Sequence, residues 1–163
     1  MNQYFDYIKT DKGFWCVFAG QNELTKISWS ATKPSESLER NNVTDLCIRQ
    51  LKGYFDGIIK KFELPLLMDN YSPFQKEVWQ ELKKIPYGST ISYKQLAKRL
   101  GNPLCIRAAA SANGKNPFPI VVPCHRVIGT DGSMTGYAFG TDLKEFLLDL
   151  ENAFPSKQMT LFN

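Results

Sequence analysis

The chain has 163 residues, 43% of them hydrophobic, which is a globular composition with room for one ordinary domain or two small ones sharing a core. No apolar run nears the length of a membrane span, and Met1 to Lys12 is acidic in places with no apolar h-region, so neither a transmembrane protein nor a secretory leader is expected and the cytosol is the expected location. The net charge of +4 is concentrated: Lys83, Lys84, Lys94, Lys98, Arg99, Arg107, Lys115 and Arg126 fall between Leu82 and Thr130, where no acidic residue occurs, and such a stretch points to a polyanionic partner.

Taken in order, residues 1–71 read as an α/β scaffold. Phe14 to Gly20 and Leu24 to Trp29 are strand-like, with Gly20-Gln21-Asn22 between them as a hairpin turn. From Ser37 to Phe55 the spacing of Cys47, Leu51, Tyr54, Phe55 and Ile58 predicts a helix. Leu64 to Tyr71 resembles a linker, and no catalytic constellation precedes it.

Residues 72–154 are mainly α-helical and heavily punctuated. Ser72-Pro73-Phe74-Gln75 is a capping box with proline at the first helical position, and Phe74, Val78, Leu82 and Ile85 make the apolar face that follows. Pro86-Tyr87-Gly88 ends that helix, and Ser92-Tyr93-Lys94-Gln95 is a second capping box, opening a helix that buries Leu96, Ala97 and Leu100. Gly101 stops it, and Asn102-Pro103 is read as the cap of the next helix, which gives the outline of a helix-turn-helix. In that next helix Arg107 is followed by Ala108, Ala109, Ala110, Ser111 and Ala112. A major-groove reading helix needs several long polar side chains to reach base edges, whereas small ones let the backbone approach closely, which suits the minor groove. Arg107 is then the long side chain available to enter the base stack.

The apolar run Ile120-Val121-Val122-Pro123 delivers Cys124 and then the chain's single histidine, His125. Two readings stand on this pair. In one, Cys124 is a nucleophile whose pKa is lowered by His125 and the cation Arg126; in the other it is a buried small hydrophobe beside a structural histidine. The four cysteines, Cys16, Cys47, Cys105 and Cys124, form no CxxC pair, so structural zinc is not expected and free thiols are. Gly136-Tyr137-Ala138-Phe139-Gly140 then sets aromatics beside glycines, and Leu143, Phe146, Leu147 and Leu150 define a last helix. Glu151, one residue past its last leucine, is a candidate third member that orients His125.

The run from Asn116 to Ile128, with Arg107-Ala108-Ala109 before it and Gly136-Tyr137 after it, resembles the O6-alkylguanine-DNA alkyltransferase (methylated-DNA–protein-cysteine methyltransferase) family. The resemblance covers Ser72 to Glu151, with a weaker fit of the first part to that family's ribonuclease-H-like domain. It implies repair of O6-alkylguanine, chiefly O6-methylguanine, flipped out of double-stranded DNA, by irreversible transfer of the alkyl group to Cys124 in a single turnover. By the same resemblance His125 is the base acting through a water, Glu151 orients it, Asn116 braces the turn, and Tyr93 donates toward the departing guanine beside the 3′ phosphate. Arg107 fills the gap left by the nucleotide, and Ala108, Ala109, Ser111 and Arg126 join Tyr93 on the DNA face. Val127, Tyr137, Ala138 and Phe139 line the guanine pocket, where Phe139 replaces a glycine common in relatives and is expected to favour methyl over benzyl groups. Neither a metal nor an organic cofactor is implied, and a monomer is expected.

The tail, residues 155–163, ends in Gln158-Met159-Thr160-Leu161-Phe162, which resembles peptides that dock on sliding clamps through a glutamine and a Leu-Phe pair, here Gln158, Leu161 and Phe162. Two other classes of function also accommodate the chain: a non-catalytic helix-turn-helix lesion binder and a cysteine hydrolase.

Overall fold

The computed structural model describes residues 3–153, which divide into two compact units with the boundary between Asn70 and Tyr71. Gln158, Leu161 and Phe162 of the expected clamp peptide lie outside the described residues.

In the first unit three strands, β1 (Tyr4–Thr10), β2 (Gly13–Ala19) and β3 (Leu24–Ser30), form an antiparallel sheet in the order β1-β2-β3. β1 went unread in the sequence. It pairs with β2 through Tyr7↔Cys16, and β2 with β3 through Cys16↔Ser28. The helix α1 (Asn42–Phe55) buries Val43, Cys47, Ile48, Leu51 and Tyr54, a stripe at helical spacing that packs against the sheet. α1 begins at Asn42 rather than near Ser37. Phe5 and Glu39 exchange both backbone hydrogen bonds, 2.7 and 3.1 Å, which holds the preceding chain extended. Asn41 then caps the helix in a capping box with Thr44. Ile58, read as part of the buried face, lies beyond the end of α1 and is 77% exposed. The supposed linker is partly structural, since Leu24 bonds Pro65 and Leu67 in a short parallel bridge.

In the second unit the first two helices open on capping boxes. α2 (Pro73–Lys83) opens on the Ser72–Gln75 capping box, with proline in its first turn, and buries Val78, Trp79 and Leu82. A two-residue strand, β4 (Ile91–Ser92), leads directly into α3 (Tyr93–Arg99), which opens on the Ser92–Gln95 capping box and ends with Gly101 in the left-handed region at φ 83°. α4 (Ile106–Gly114) starts three residues later than the Asn102-Pro103 reading places it. The Asn102 side chain accepts from the Leu104 amide and the Asn102 carbonyl from that of Cys105, so this asparagine closes a turn instead of capping a helix. Trp79 ties α2 to α4 by donating its indole N–H to the Ala112 carbonyl at 2.9 Å, out of contact with solvent. β5 (Val127–Ile128) pairs in parallel with β4, Ile91↔Val127 and Ser92↔Ile128, and α5 (Thr141–Leu150) closes the described chain. This pairing brings the start of α3, and so Tyr93, beside the segment that carries Cys124.

Candidate active site

The turn that presents Cys124 is built from the asparagine upstream of it. Asn116 accepts from the Phe118 amide at 2.9 Å and donates to the Val122 carbonyl at 2.7 Å, closing a loop in which Val122 also bonds Phe118 through the backbone. Inside this loop Ile120 is buried at φ 73°, a left-handed conformation unfavourable for a β-branched residue and held by the surrounding bonds. Pro123 then sets up a 3-10 turn over Cys124–Arg126. On an extended strand the Cys124 and His125 side chains would face opposite ways; the turn frees them from that alternation. Asn113 of α4, unremarked in the sequence, donates to the Cys124 carbonyl at 3.4 Å.

His125 and Arg126 both reach Glu151, the residue that ends α5. His125 Nε2 lies 2.6 Å from Glu151 Oε2; Arg126 donates through Nε to Oε1 at 2.8 Å and through a terminal nitrogen to Oε2 at 3.1 Å. A further Arg126 nitrogen donates to the Ile85 carbonyl at 2.8 Å, and its guanidinium lies over the Tyr87 ring. Burial alone would raise the Glu151 pKa, but the hydrogen bonds and charges of His125 and Arg126 outweigh it and bring it down to about 2, so it is a carboxylate at neutral pH. Burial lowers the His125 pKa below its usual 6.5, against the pull of Glu151, so the imidazole is neutral there. With Nε2–H directed at the carboxylate, Nδ1 carries the lone pair; it is buried and has no hydrogen-bond partner among the described residues.

Cys124 itself is buried, and burial pushes its thiol up to about 11, against the lowering effects of the Asn116 side chain, Lys144 and the backbone of Cys124 and His125. The expectation that His125 and Arg126 depress this pKa is therefore corrected. Burial is the larger effect, and the Arg126 charge is satisfied by Glu151 rather than directed at sulfur. A thiol in this setting keeps its proton until a base removes it.

Tyr93, half-buried at the start of α3, places its hydroxyl 3.4 Å from the Thr135 carbonyl, and burial first, then the Cys124 charge, raises its pKa, so the hydroxyl remains a donor. A Cβ on Gly136, which sits at φ 81°, would stand 2.8 Å from that hydroxyl, so only glycine fits there. Tyr137 is buried with its ring edge-on to Phe139, centroids 5.8 Å apart, Val127 is fully buried on β5, and Ala138 is exposed. On α4, Arg107, Ala108 and Ser111 are exposed on one face while Ala109 points into the core. Two residues expected on the DNA face are thus interior: Ala109, because the period of the helix puts it on the buried side with Ala112 and Asn113, and Arg126, because it closes the Glu151 pair. The buried Lys144 of α5 also escaped the sequence reading.

The family model described as 6-O-methylguanine DNA methyltransferase, DNA binding domain, matches residues 73–153. The chain is 40% identical over 153 residues to the methylated-DNA–protein-cysteine methyltransferase of Methanosarcina barkeri, covering 91% of this chain and 96% of that one. It is 44% identical over 158 residues to the constitutive methylated-DNA–protein-cysteine methyltransferase of Bacillus subtilis, covering 91% and 94%. Among solved structures, a Mycobacterium tuberculosis O6-methylguanine methyltransferase superposes with a TM-score of 0.81 at 34% identity, over 99% of this chain and all of that one. An M. tuberculosis OGT in complex with DNA superposes at 0.82 and 35% identity, over 98% and 99%. The chain belongs to the methylated-DNA–protein-cysteine methyltransferase family.

Proposed function

We propose that this protein repairs O6-alkylguanine, chiefly O6-methylguanine, in double-stranded DNA by moving the alkyl group to Cys124 once and irreversibly. The observation that carries the reading is the buried sequence of thiol, neutral imidazole and carboxylate formed by Cys124, His125 and Glu151 on a turn braced by Asn116. A protonated thiol with a pKa near 11 needs a dedicated base, and His125 Nδ1 is a buried acceptor free to serve through one water. As the proton leaves, the imidazolium forms against Glu151; sulfur bonds to the alkyl carbon while that carbon's bond to guanine O6 breaks. Tyr93 donates to the departing purine, and the thiol proton ends, net, on guanine.

Reaching the alkyl carbon requires the base outside the helix, at a cost of a few kcal/mol. The α3-turn-α4 segment is read as a helix-turn-helix that approaches the minor groove with Ala108 and Ser111, Arg107 entering the stack in place of the flipped nucleotide. The Lys98, Arg99 and Lys115 charges around it supply sequence-independent phosphate attraction. Val127, Tyr137, Ala138 and Phe139 surround the guanine, with Phe139 limiting the size of the alkyl group. The first unit is read as a ribonuclease-H-like scaffold, the protein as a cytosolic monomer, and Gln158, Leu161 and Phe162 as a clamp-docking peptide on sequence grounds. No helix among the described residues is long and apolar enough to cross a membrane.

Mass spectrometry after incubation with a duplex containing one O6-methylguanine tests the reading. One methyl on Cys124 and a restored guanine are expected; an unmodified protein that holds the lesion defines a binder, and peptide turnover defines a hydrolase.

A further inference from the structure

A lysine with no exposed surface is rare unless its charge is satisfied, and Lys144 is completely buried. By period it belongs with Leu143, Leu147 and Leu148 on the inner face of α5, and its ammonium turns toward the reaction centre. Nζ donates to the Val127 carbonyl at 2.5 Å and to the Thr135 carbonyl at 2.8 Å and stands 5.8 Å from the centre of the Tyr93 ring. Val127 directly follows the Cys124 turn, and Thr135 directly precedes Gly136 and Tyr137; one side chain therefore holds the nucleophile's strand and the pocket loop together. The Thr135 carbonyl also receives the Tyr93 hydroxyl, so the clamp extends to the donor.

The charges around it are unevenly matched. Glu151 is shared by His125 and Arg126, whereas Lys144 has carbonyls but no carboxylate as partner among the described residues. The remaining titratable groups it faces are the Cys124 thiol and the Tyr93 hydroxyl, with the His125 imidazole near enough to feel its charge. We propose that Lys144 is a positioning residue for alkyl transfer, whose carboxylate-free ammonium clamps Val127 to Thr135 and acts as the counter-charge under which the Cys124 thiolate forms. It touches neither alkyl group nor guanine in this role, and it transfers no proton. The mutual influence is consistent in direction: Lys144 lowers the thiol's pKa, and the thiolate raises that of the ammonium, although burial outweighs it and leaves the ammonium at about 8.

The inference rests on the alkyl-transfer reading, so the parent protein is assayed first; a parent that accepts no methyl defeats that reading, whatever Lys144 does. With an active parent, Lys144→Met and Lys144→Arg are compared in two assays, single-turnover methyl transfer and the rate of Cys124 alkylation by iodoacetamide without DNA at about pH 7, where the Lys144 ammonium is still charged. Lys144→Met is expected to slow transfer by about 10–100-fold and alkylation by about tenfold or more, because losing a neighbouring opposite charge shifts a pKa by about one unit or more and lowers the thiolate fraction in proportion. Lys144→Arg, which keeps the charge but not the fit, is expected to retain the parent's alkylation rate while losing transfer rate. A folded Lys144→Met with the parent's alkylation rate overturns the counter-charge, and one with the parent's transfer rate overturns the positioning role. Should Lys144→Met not fold, Lys144→Gln is put through the same two assays, and the same two outcomes overturn the proposal.

Discussion

Two buried cysteines in this chain share a degree of enclosure and little else. Cys47, on the inner face of α1, is fully buried, and burial alone pushes its thiol up to about 12. Cys124 suffers the same desolvation and comes out at about 11, because Asn116, Lys144 and backbone groups oppose it. The difference in resting acidity is modest. The larger difference lies in where a proton can go: Cys124 is followed by a neutral histidine with one nitrogen unpartnered among the described residues and a carboxylate behind it, and Cys47 has no such neighbour among the causes acting on it. Reactivity of a buried thiol is thus set less by its ground-state pKa than by a prepared path for the proton and a counter-charge for the sulfur.

The sharpest way to break this contrast is to exchange the two thiols for methyl groups. Cys124→Ala is expected to abolish methyl transfer while leaving affinity for DNA within about threefold, because phosphate contacts supply most of that affinity. Cys47→Ala is expected to leave transfer unchanged and to lower stability by about 1 kcal/mol through the lost packing. Transfer read by mass spectrometry and stability read by urea unfolding check both.

Glu151→Gln tests the proton path from its far end. Removing the carboxylate leaves Arg126 buried without its partner, so a loss of about 3–5 kcal/mol is expected, together with a fall of about 100-fold or more in transfer from the misoriented imidazole. The linkage has a definite sign. A carboxyl with its pKa depressed to about 2 stabilises the fold fully above its unfolded value of 4.5 and loses that contribution as pH falls toward 2. The stability gap between parent and variant in urea unfolding is expected to close over that window and to stay constant above it.

How far these features were legible in the sequence depends on the range of the interaction that makes them. The capping boxes at Ser72 and Ser92 and the stop at Gly101 were legible because each is settled within four residues. The Cys124, His125, Glu151 set was visible as a family pattern, while its geometry depends on a 3-10 turn and on the end of α5, which no local period reveals. Lys144 was invisible because a lysine between a leucine and a glutamate reads as a solvated residue of an amphipathic helix; its burial is decided by two carbonyls 9 and 17 residues away. Arg126 misled for the opposite reason. A basic residue in a basic stretch reads as a phosphate contact, and only the fold reveals that Glu151 claims it.

Smaller effects refine the contrast. Arg107→Ala is expected to slow repair in duplex DNA by about 10-fold or more while barely changing reaction with the free alkylated base, since holding the extruded nucleotide matters only in the duplex; equal losses on both substrates count against that role. The pH dependence of transfer is gentler still. Burial holds His125 below 6.5, so single-turnover rates measured from about pH 8 to about pH 5 are expected to stay flat through 6.5 and decline only below it; a decline centred on 6.5 would place the imidazole in water.

The bond from Trp79 to the Ala112 carbonyl has an optical consequence. Indole emission shifts with hydrogen bonding at its nitrogen, and this nitrogen is fastened to the helix whose opposite face carries Arg107, Ala108 and Ser111. The chain contains two other tryptophans, Trp15 and Trp29, both on the sheet of the first unit. With those two changed to phenylalanine, the remaining fluorophore is an internal strain gauge on α4, reporting in real time how that helix seats on a ligand without any label being attached.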